Sequence, residues 1–385
     1  MGHTRLIKST NTKTQPPMKI AQVCPYDFSR PGGVKNHIES LSKYLRQMGH
    51  EVKIIAPNPN ISEEGVYHFG GNRSLNLGGT KIDINIALGA ERKALKNFLR
   101  NEQFDVIHFH TFWNPALPFQ IRRFSRAKHV TTFHDTPKSQ FVGKNIMPIA
   151  AKGVFTLMDA IISVSKTQAA YINRFSKREI SIIPNGIDLA EYQQPIEPIK
   201  KYDDGKFNIL FLGRLEERKG ILHALESYKI VKKANPDIRL IIAGDGDERI
   251  QAENFIKIHE LQDIEMLGFV SESEKLRLLK TADLYIAPAL FGESFGIVLL
   301  EAMAMGTPMC GYGNEGYLNV LSEKQRAYFA SPYDTESLAA KTLALISDQN
   351  EQSKMILEGS QVVQPFDWEI LTTQIENVYK RVLKN

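Results

Sequence analysis

Apolar residues along the chain fall into short continuous runs separated by amphipathic stretches. "KIAQVCP", from residue 19, is an uninterrupted apolar run of the kind found in strands buried on both faces. "VKNHIESLSKYLRQMG" follows, with apolar residues at Val34, Ile38, Leu41 and Leu45 and a stop at Gly49, so the spacing predicts a helix. "EVKIIAP" predicts the next strand. Strand, helix, strand is a βαβ unit and implies a parallel sheet. "FDVIHFH", "AKHVTTFH" and "AIISVS" add strands with helices between them, and "EISIIPNGID" closes this half.

Residues 191–206, "EYQQPIEPIKKYDDGK", are polar, contain prolines and lack periodicity, which marks a linker. The pattern then restarts. "FNILFLG", "IRLIIAGDG", "DIEMLGFV" and "DLYIAPA" read as strands, and "ILHALESYKIVKKANP" and "IVLLEAMAMG" as helices. The final segment, "FDWEILTTQIENVYKRVLKN", reads as an amphipathic helix with Ile370, Leu371, Ile375, Val378, Val382 and Leu383 on one side. The expected organisation is a disordered tail over 1–17, a doubly wound α/β domain over 18–190, the linker, a second such domain over 207–365, and a last helix over 366–385.

Composition narrows the class. The chain of 385 residues is long enough for two cores, and no apolar run is long enough to cross a bilayer. The opening "MGHTRLIKSTNTKTQPP" has charge but no apolar centre like that of a secretion signal. With two cysteines, Cys24 and Cys310, a disulfide framework is not expected, and a cytoplasmic protein is. A net charge of +5 is too weak by itself to imply nucleic acid.

Ligands of open α/β sheets bind beyond the carboxyl ends of strands, so two such domains point to the cleft between them. Gly32 and Gly33 follow the first strand and open a helix, either as a plain turn or as a close approach to an anion. Arg214 and Lys219 follow "ILFLG", either as a solvated charged loop or as partners of a pyrophosphate. Asp245 and Asp247 in "AGDGDE" have a metal-binding spacing, but a surface turn is favoured. His134 ends a strand, as a structural or a sugar-contacting group. His108 and His110 alternate along a strand and point the same way; with no third histidine beside them in the sequence, no metal is assigned.

"FGESFGIVLLEAMAMG" sets Glu293 and Glu301 into an apolar run. An ionised carboxylate there is costly unless paired. Taken as continuous helical rise, the spacing puts them roughly 12 Å apart on nearly one side. Two readings stand: a buried ion pair at Glu301 with Glu293 as a cap, or two carboxylates flanking an anion site, which suits a nucleotide sugar.

The segment resembles the E-x-x-x-x-x-x-x-E motif of retaining glycosyltransferases of the two-Rossmann-domain (GT-B) type, family 4. "PNGID", "LGRLEERKG", "LIIAGDG", "GFV", "ADLYIAPA", "GESFGIVLLEAMAMGTP" and "FDW" resemble family blocks in family order, covering the chain from about Met18. "VCPYDFSRPGGVKNHI" is similar to the bacterial phosphatidylinositol mannosyltransferases, which move mannose from GDP-mannose to a membrane lipid. The resemblance implies an acceptor domain first, a donor domain second, and a last helix crossing back to the first domain.

It also implies roles. Gly33 would approach the donor phosphates, and Arg214 and Lys219 would hold the pyrophosphate. Glu293 would meet the transferred sugar, and Ser294, Phe295, Gly296 and Ile297 would complete the contacts. Glu301 would bind ribose hydroxyls, His134 would line the sugar, and Tyr26 would lie at the acceptor side. Lys35 and Asp135 stand where the phosphatidylinositol enzymes lead one to expect Gln and Thr, so they bear on the acceptor more than on the donor. No essential metal is expected, because Arg214, Lys219 and a helix N-terminus would meet the leaving-group charge.

Between residues 106 and 158 the only acid is Asp135, against Arg122, Arg123, Arg126, Lys128, Lys138, Lys144 and Lys152. Before it, "ERKALKNFLR" carries Arg92, Lys93, Lys96 and Arg100 beside Ala94, Leu95 and Leu99. Basic and apolar side chains together suit an anionic membrane, which predicts docking at the inner face of the cell membrane. The alternatives are a UDP-sugar enzyme on a soluble or polysaccharide acceptor, a pyridoxal-phosphate phosphorylase or an epimerase, and a non-catalytic nucleotide-sugar-binding module.

Overall fold

A computed structural model describes residues 16–29, 32–58, 64–77, 80–112, 116–134, 155–174, 176–293 and 295–384. Two of the site residues expected from sequence, Asp135 and Ser294, lie outside the described residues, as do Lys138, Lys144, Lys152 and nearly all of the expected tail.

The first half forms a seven-stranded parallel sheet. Its strands are β1 (Lys19–Val23), β2 (Glu51–Ala56), β3 (Val66–His68), β6 (Val106–His110), β7 (Lys128–Phe133), β8 (Ala160–Ser163) and β9 (Ile180–Ile182), in the order β3-β2-β1-β6-β7-β8-β9. The intervening β4 (Gly71–Leu77) and β5 (Thr80–Ile86) make a separate antiparallel hairpin. The order reverses between β1 and β6, and that switch point opens a crevice at the strands' carboxyl ends. Helix α1 (Gly33–Gln47) buries Ile38, Leu41 and Leu45, as the spacing predicts, and the chain turns at Gly49, whose φ is 92°. Helices α2 (Gly89–Glu102) and α3 (Leu117–Phe124) pack side by side on the flank.

The second half repeats the plan with β10 (Phe207–Leu212), β11 (Ile238–Ala243), β12 (Ile264–Gly268), β13 (Leu284–Ala287), β14 (Met309–Tyr312) and β15 (Phe329–Ala330), ordered β12-β11-β10-β13-β14-β15. Here the reversal falls between β10 and β13. Helices α4 (Ile221–Ala234), α5 (Glu272–Thr281) and α6 (Ile297–Met305) accompany these strands.

The last helix, α7 (Trp368–Lys384), returns to the first domain. Trp368, Leu371, Ile375, Val378 and Val382 are buried against the cluster that holds Ile20, Leu41 and Val130. Each such side chain contributes about 2 kcal/mol by burial. Ile370 and Leu383, expected on the same side, are 46% and 39% exposed. They sit one residue off the 371–375–378–382 stripe, about 100° around the helix. Trp368 and Tyr379 fill the contact instead. The outgoing and returning chains touch where they cross: Ile187 N donates to Phe366 O at 3.0 Å, and Trp368 N donates to Ile187 O at 3.1 Å. A Cβ at Gly186 would lie 2.6 Å from Leu371 Cδ1, so only glycine lets the crossing close this tightly.

Candidate active site

The chain leaving β10 and the chain leaving β13 are laced together at the switch point. A 3-10 turn over Glu217–Lys219 ends at Gly220, whose φ is 72°. A Cβ at Gly220 would lie 2.1 Å from Pro288 O, so a side chain there would drive the loops apart. Leu290 N donates to Arg218 O at 2.9 Å, a second tie between them.

This lacing places Glu293 between two cations. Arg218 Nη1 donates to Glu293 Oε1 at 3.0 Å, and Lys219 Nζ pairs with the same oxygen. Arg218 Nε also binds Glu216 Oε2 at 2.7 Å, and Glu216 Oε1 binds Arg214 Nη1 at 2.7 Å. The Glu293 side chain is 11% exposed and Lys219 16%, whereas Arg214 is 70% exposed. Arg214 thus sits at the solvent end of an alternating row of charges, while Lys219 is at its inner end. A largely buried carboxylate is costly unless it is paired, and Glu293 has two cationic partners. Arg218 was not singled out from the sequence. Its one signal is adjacency to Lys219, and a tight turn is needed to aim both at one carboxylate.

Helix α6 starts at Ile297, beyond Glu293. The rise over continuous helix expected between Glu293 and Glu301 therefore does not apply, because Gly292, Glu293, Phe295 and Gly296 lie outside the helix, with Gly292 and Gly296 at φ 73° and 98°. A Cβ on Gly296 would lie 2.7 Å from Tyr317 Cδ1. Gly296 has no side chain to cap the helix, and the first turn carries no acid, so the first N–H groups remain available to an anion. Phe295 is buried, its ring 5.7 Å from that of Phe366.

Glu301 is in a buried ion pair. Its Oε1 accepts from Lys275 Nζ at 2.8 Å and from Tyr192 OH at 3.1 Å. Burial opposes the charge on Lys275, but Glu301 and Glu272 outweigh it and raise its pKa. Burial, then Glu301, pushes the Tyr192 hydroxyl far up. Neither partner was legible from spacing, since they come from α5 and from the segment entering the linker. The Asp245 turn closes on itself: Gly246 N donates to Asp245 Oδ1 at 2.8 Å, and Arg249 pairs with the carboxylate.

On the first domain, Gly33 opens α1 with nothing within 4 Å of where a Cβ would stand, and its neighbour Gly32 is extended at φ 171°. Tyr26 is 41% exposed. Lys35 stays on its own domain, its Nζ 4.9 Å above the Phe28 ring and 3.7 Å from Glu39. His134 ends β7 and is buried, with Nε2 3.0 Å from His110 Nδ1.

The expectation that no third histidine accompanies His108 and His110 is overturned. His37, His110 and His134 converge, each offering a ring nitrogen within 4.8 Å of the others. They come from α1, β6 and β7, so no sequence spacing announces them. His108 faces the same way as His110 but is bonded on both sides, Nδ1 to Tyr379 OH at 2.6 Å and Nε2 to Thr132 Oγ1 at 2.7 Å. Burial lowers the pKa of all four rings, to about 4 for His37 and well below the ordinary value for the others.

Along α2, Arg92, Lys93, Lys96 and Arg100 are exposed. Leu95 and Leu99, expected to face a membrane, are instead 0% and 5% exposed and belong to the core. The apolar side chains actually presented nearby are Leu88, before α2, at 46%, and Phe119 on α3 at 40%. Among the described residues no helix is long and apolar enough to cross a membrane.

Known proteins match this chain along its length. The model of "Glycosyltransferase Family 4" matches residues 31–191, and that of "Glycosyl transferases group 1" matches residues 193–362. A phosphatidyl-myo-inositol mannosyltransferase of Mycolicibacterium smegmatis is 30% identical over 372 residues, 95% of this chain and 94% of that protein. An alpha-monoglucosyldiacylglycerol synthase of Streptococcus pneumoniae is 26% identical, over 87% of this chain and 80% of that one. The crystal structure of a glycosyltransferase from Rickettsia africae superposes with a TM-score of 0.76 at 18% identity, covering 96% and 100% of the two chains.

Proposed function

The chain belongs to glycosyltransferase family 4 and has the GT-B fold; on that premise we propose that it moves mannose from GDP-mannose to a phosphatidylinositol-like membrane lipid, retaining the anomeric configuration. The observation that carries the reading is Glu293 held against Arg218 and Lys219 at the switch point of the second sheet. A carboxylate accepts paired hydrogen bonds from sugar hydroxyls, and the adjacent cations meet a pyrophosphate.

In this reading the ion pairs are a preorganised resting state. As donor binds, Lys219 divides its charge between Glu293 and the phosphates, and Arg214, at the exposed end of the row, swings onto the pyrophosphate. The backbone of residues 294–297 and the N-terminus of α6 supply N–H donors. Glu301 gives one carboxylate face to the ribose and keeps Lys275 on the other. Gly33 fits a close phosphate approach, since neither packing nor a positive φ demands glycine there. His134 lines the sugar, and Tyr26, Lys35 and Asp135 lie toward the acceptor. As the bond to the leaving phosphate breaks, Arg214, Lys219 and the helix N-terminus stabilise its charge. The acceptor hydroxyl attacks on the same face and passes its proton to the departing phosphate.

The basic surface of α2 is proposed as the membrane-facing side, with Arg92, Lys93, Lys96 and Arg100 on headgroups. Leu88 and Phe119, rather than Leu95 and Leu99, enter the interface. Two relatives, one named for phosphatidyl-myo-inositol and one for a glucosyldiacylglycerol, support a lipid acceptor.

Transfer from radiolabelled GDP-mannose to phosphatidylinositol vesicles tests the whole. Labelled lipid in the α configuration is expected. Thermal stabilisation by UDP-sugars but not GDP-mannose would overturn the donor. Donor turnover with soluble acceptors alone would overturn the lipid.

A further inference from the structure

Three buried imidazoles each bring a ring nitrogen within 4.8 Å of the others, and two of them have a second nitrogen already committed. His37 Nδ1 is 3.0 Å from Asn185 Oδ1, and His110 Nε2 is 2.8 Å from Gln22 Oε1. With the amides as assigned, both oxygens only accept, so His37 Nδ1 and His110 Nε2 carry the protons. The opposite nitrogens, His37 Nε2 and His110 Nδ1, are therefore lone pairs.

His110 Nδ1 accepts from His134 Nε2 at 3.0 Å, so a metal bound to His134 Nε2 would shift that ring's proton to Nδ1. His37 Nε2 finds nothing: among the described residues it is a buried ring nitrogen without a hydrogen-bond partner. An orphaned buried acceptor costs about 1–3 kcal/mol. N–H groups fixed by amide oxygens, with the opposite lone pairs left open, are what a metal-binding histidine needs.

We propose that His37 Nε2, His110 Nδ1 and His134 Nε2 form a site for one first-row transition-metal ion of the zinc class, with water in the fourth position. Nitrogens bound to tetrahedral zinc at ~2.0–2.1 Å stand about 3.3 Å apart. The His110–His134 separation of 3.0 Å is already close to that. The widest separation in the group is within 4.8 Å, so small ring shifts complete the set. His108 is excluded, because Tyr379 and Thr132 occupy both its nitrogens. Three imidazoles with no thiolate or carboxylate suit zinc, cobalt, nickel or copper rather than magnesium or calcium. An ion there would hold His134 away from a sugar; that consequence, unlike the site, rests on the role proposed above for His134.

The full chain, stripped with chelator and titrated with Co²⁺, tests the site. One equivalent should develop intense visible bands of a tetrahedral nitrogen-ligated ion, and Zn²⁺ should displace it. His37→Gln and His110→Gln, checked by circular dichroism, should each weaken binding at least tenfold. X-ray absorption of the zinc-loaded wild-type chain, which needs no variant, should count three imidazoles. Absent bands, fewer than two imidazoles, or folded variants that bind like wild type would overturn the site. In a transfer assay, one equivalent of Zn²⁺ should lower the rate of wild type but not of His37→Gln. If wild type binds zinc with no change in rate, the role of His134 fails and the site stands.

Discussion

The two domains share one architecture and differ in what they bury. Six histidines, His37, His50, His108, His110, His129 and His134, are buried in the first domain, and the second buries none among the described residues. The second domain builds on an apolar core and holds its charges in ion pairs, at loop ends where they aim Glu293, Lys219 and Arg218, and between helices at Glu301 and Lys275. A charged site on a dry, well-packed sheet is held in one geometry before any ligand arrives. A polar interior built on hydrogen-bonded rings is sensitive to protons and metals instead. The difference separates a domain that fixes the donor from one whose interior chemistry can change.

The sharpest way to break the comparison is to damage the second domain's charges. Glu293→Gln or Lys219→Ala should lower transfer by about 10²–10³-fold, as loss of a preorganised charge contact does, with circular dichroism unchanged. Unaltered initial rates in either variant would remove the site from β10 and β13.

A smaller effect, confined to the first domain, is expected from acid. Burial first and then Arg122 lower His129 to about 4, with Asp159 partly offsetting them. The unfolded ring titrates near 6.5, so below that the unfolded chain binds more protons. The stability is full above pH 6.5 and is lost as pH falls toward 4. At pH 5 this single ring removes about 2 kcal/mol, or about 5 °C of the first transition. Scanning calorimetry at pH 7 and 5 should show the first domain's transition falling more than the second's, and His129→Phe should reduce the difference by about that amount, leaving the part due to the other buried rings.

Removing one charge from the outer face of α2 is milder still. Arg92→Ser should weaken binding to anionic vesicles about fivefold, near 1 kcal/mol, and the loss should shrink in high salt. Sedimentation with phosphatidylserine vesicles measures it, and indifference of the wild-type chain to anionic lipid would reduce that face to a solvated surface. Smallest of all is the expected effect of EDTA on chain already stripped of metal, an unchanged rate of transfer, since cationic side chains meet the leaving phosphate. Strict dependence on Mg²⁺ would return Asp245 and Asp247 to consideration.

Much of the fold was legible because parallel strands buried on both faces leave continuous apolar runs, such as "IRLIIA" over β11. The placing of Glu293 and Lys219 was legible as motifs after strands. Arg218 was not, because a 3-10 turn and a left-handed glycine decide where consecutive side chains point. The histidine group was hidden because α1, β6 and β7 meet only in the folded sheet. Leu95 and Leu99 were read outward because an amphipathic helix shows which residues share a face, not what that face meets.

The return of α7 has a consequence for the order in which the molecule is made. Residues near Ile20 leave the ribosome first, yet the side chains that seal their core, from Trp368 to Val382, leave last. About 200 residues separate Ile183, the last first-domain member of that cluster before α7, from Val382. At typical synthesis rates the first domain waits roughly 10–40 s with one face uncovered. The second domain, whose core needs nothing from either end of the chain, can close during that interval. The half that begins first is therefore the half that finishes last, and a nascent chain stalled short of Trp368 would leave the core around Ile20, Leu41 and Val130 uncovered on its older half.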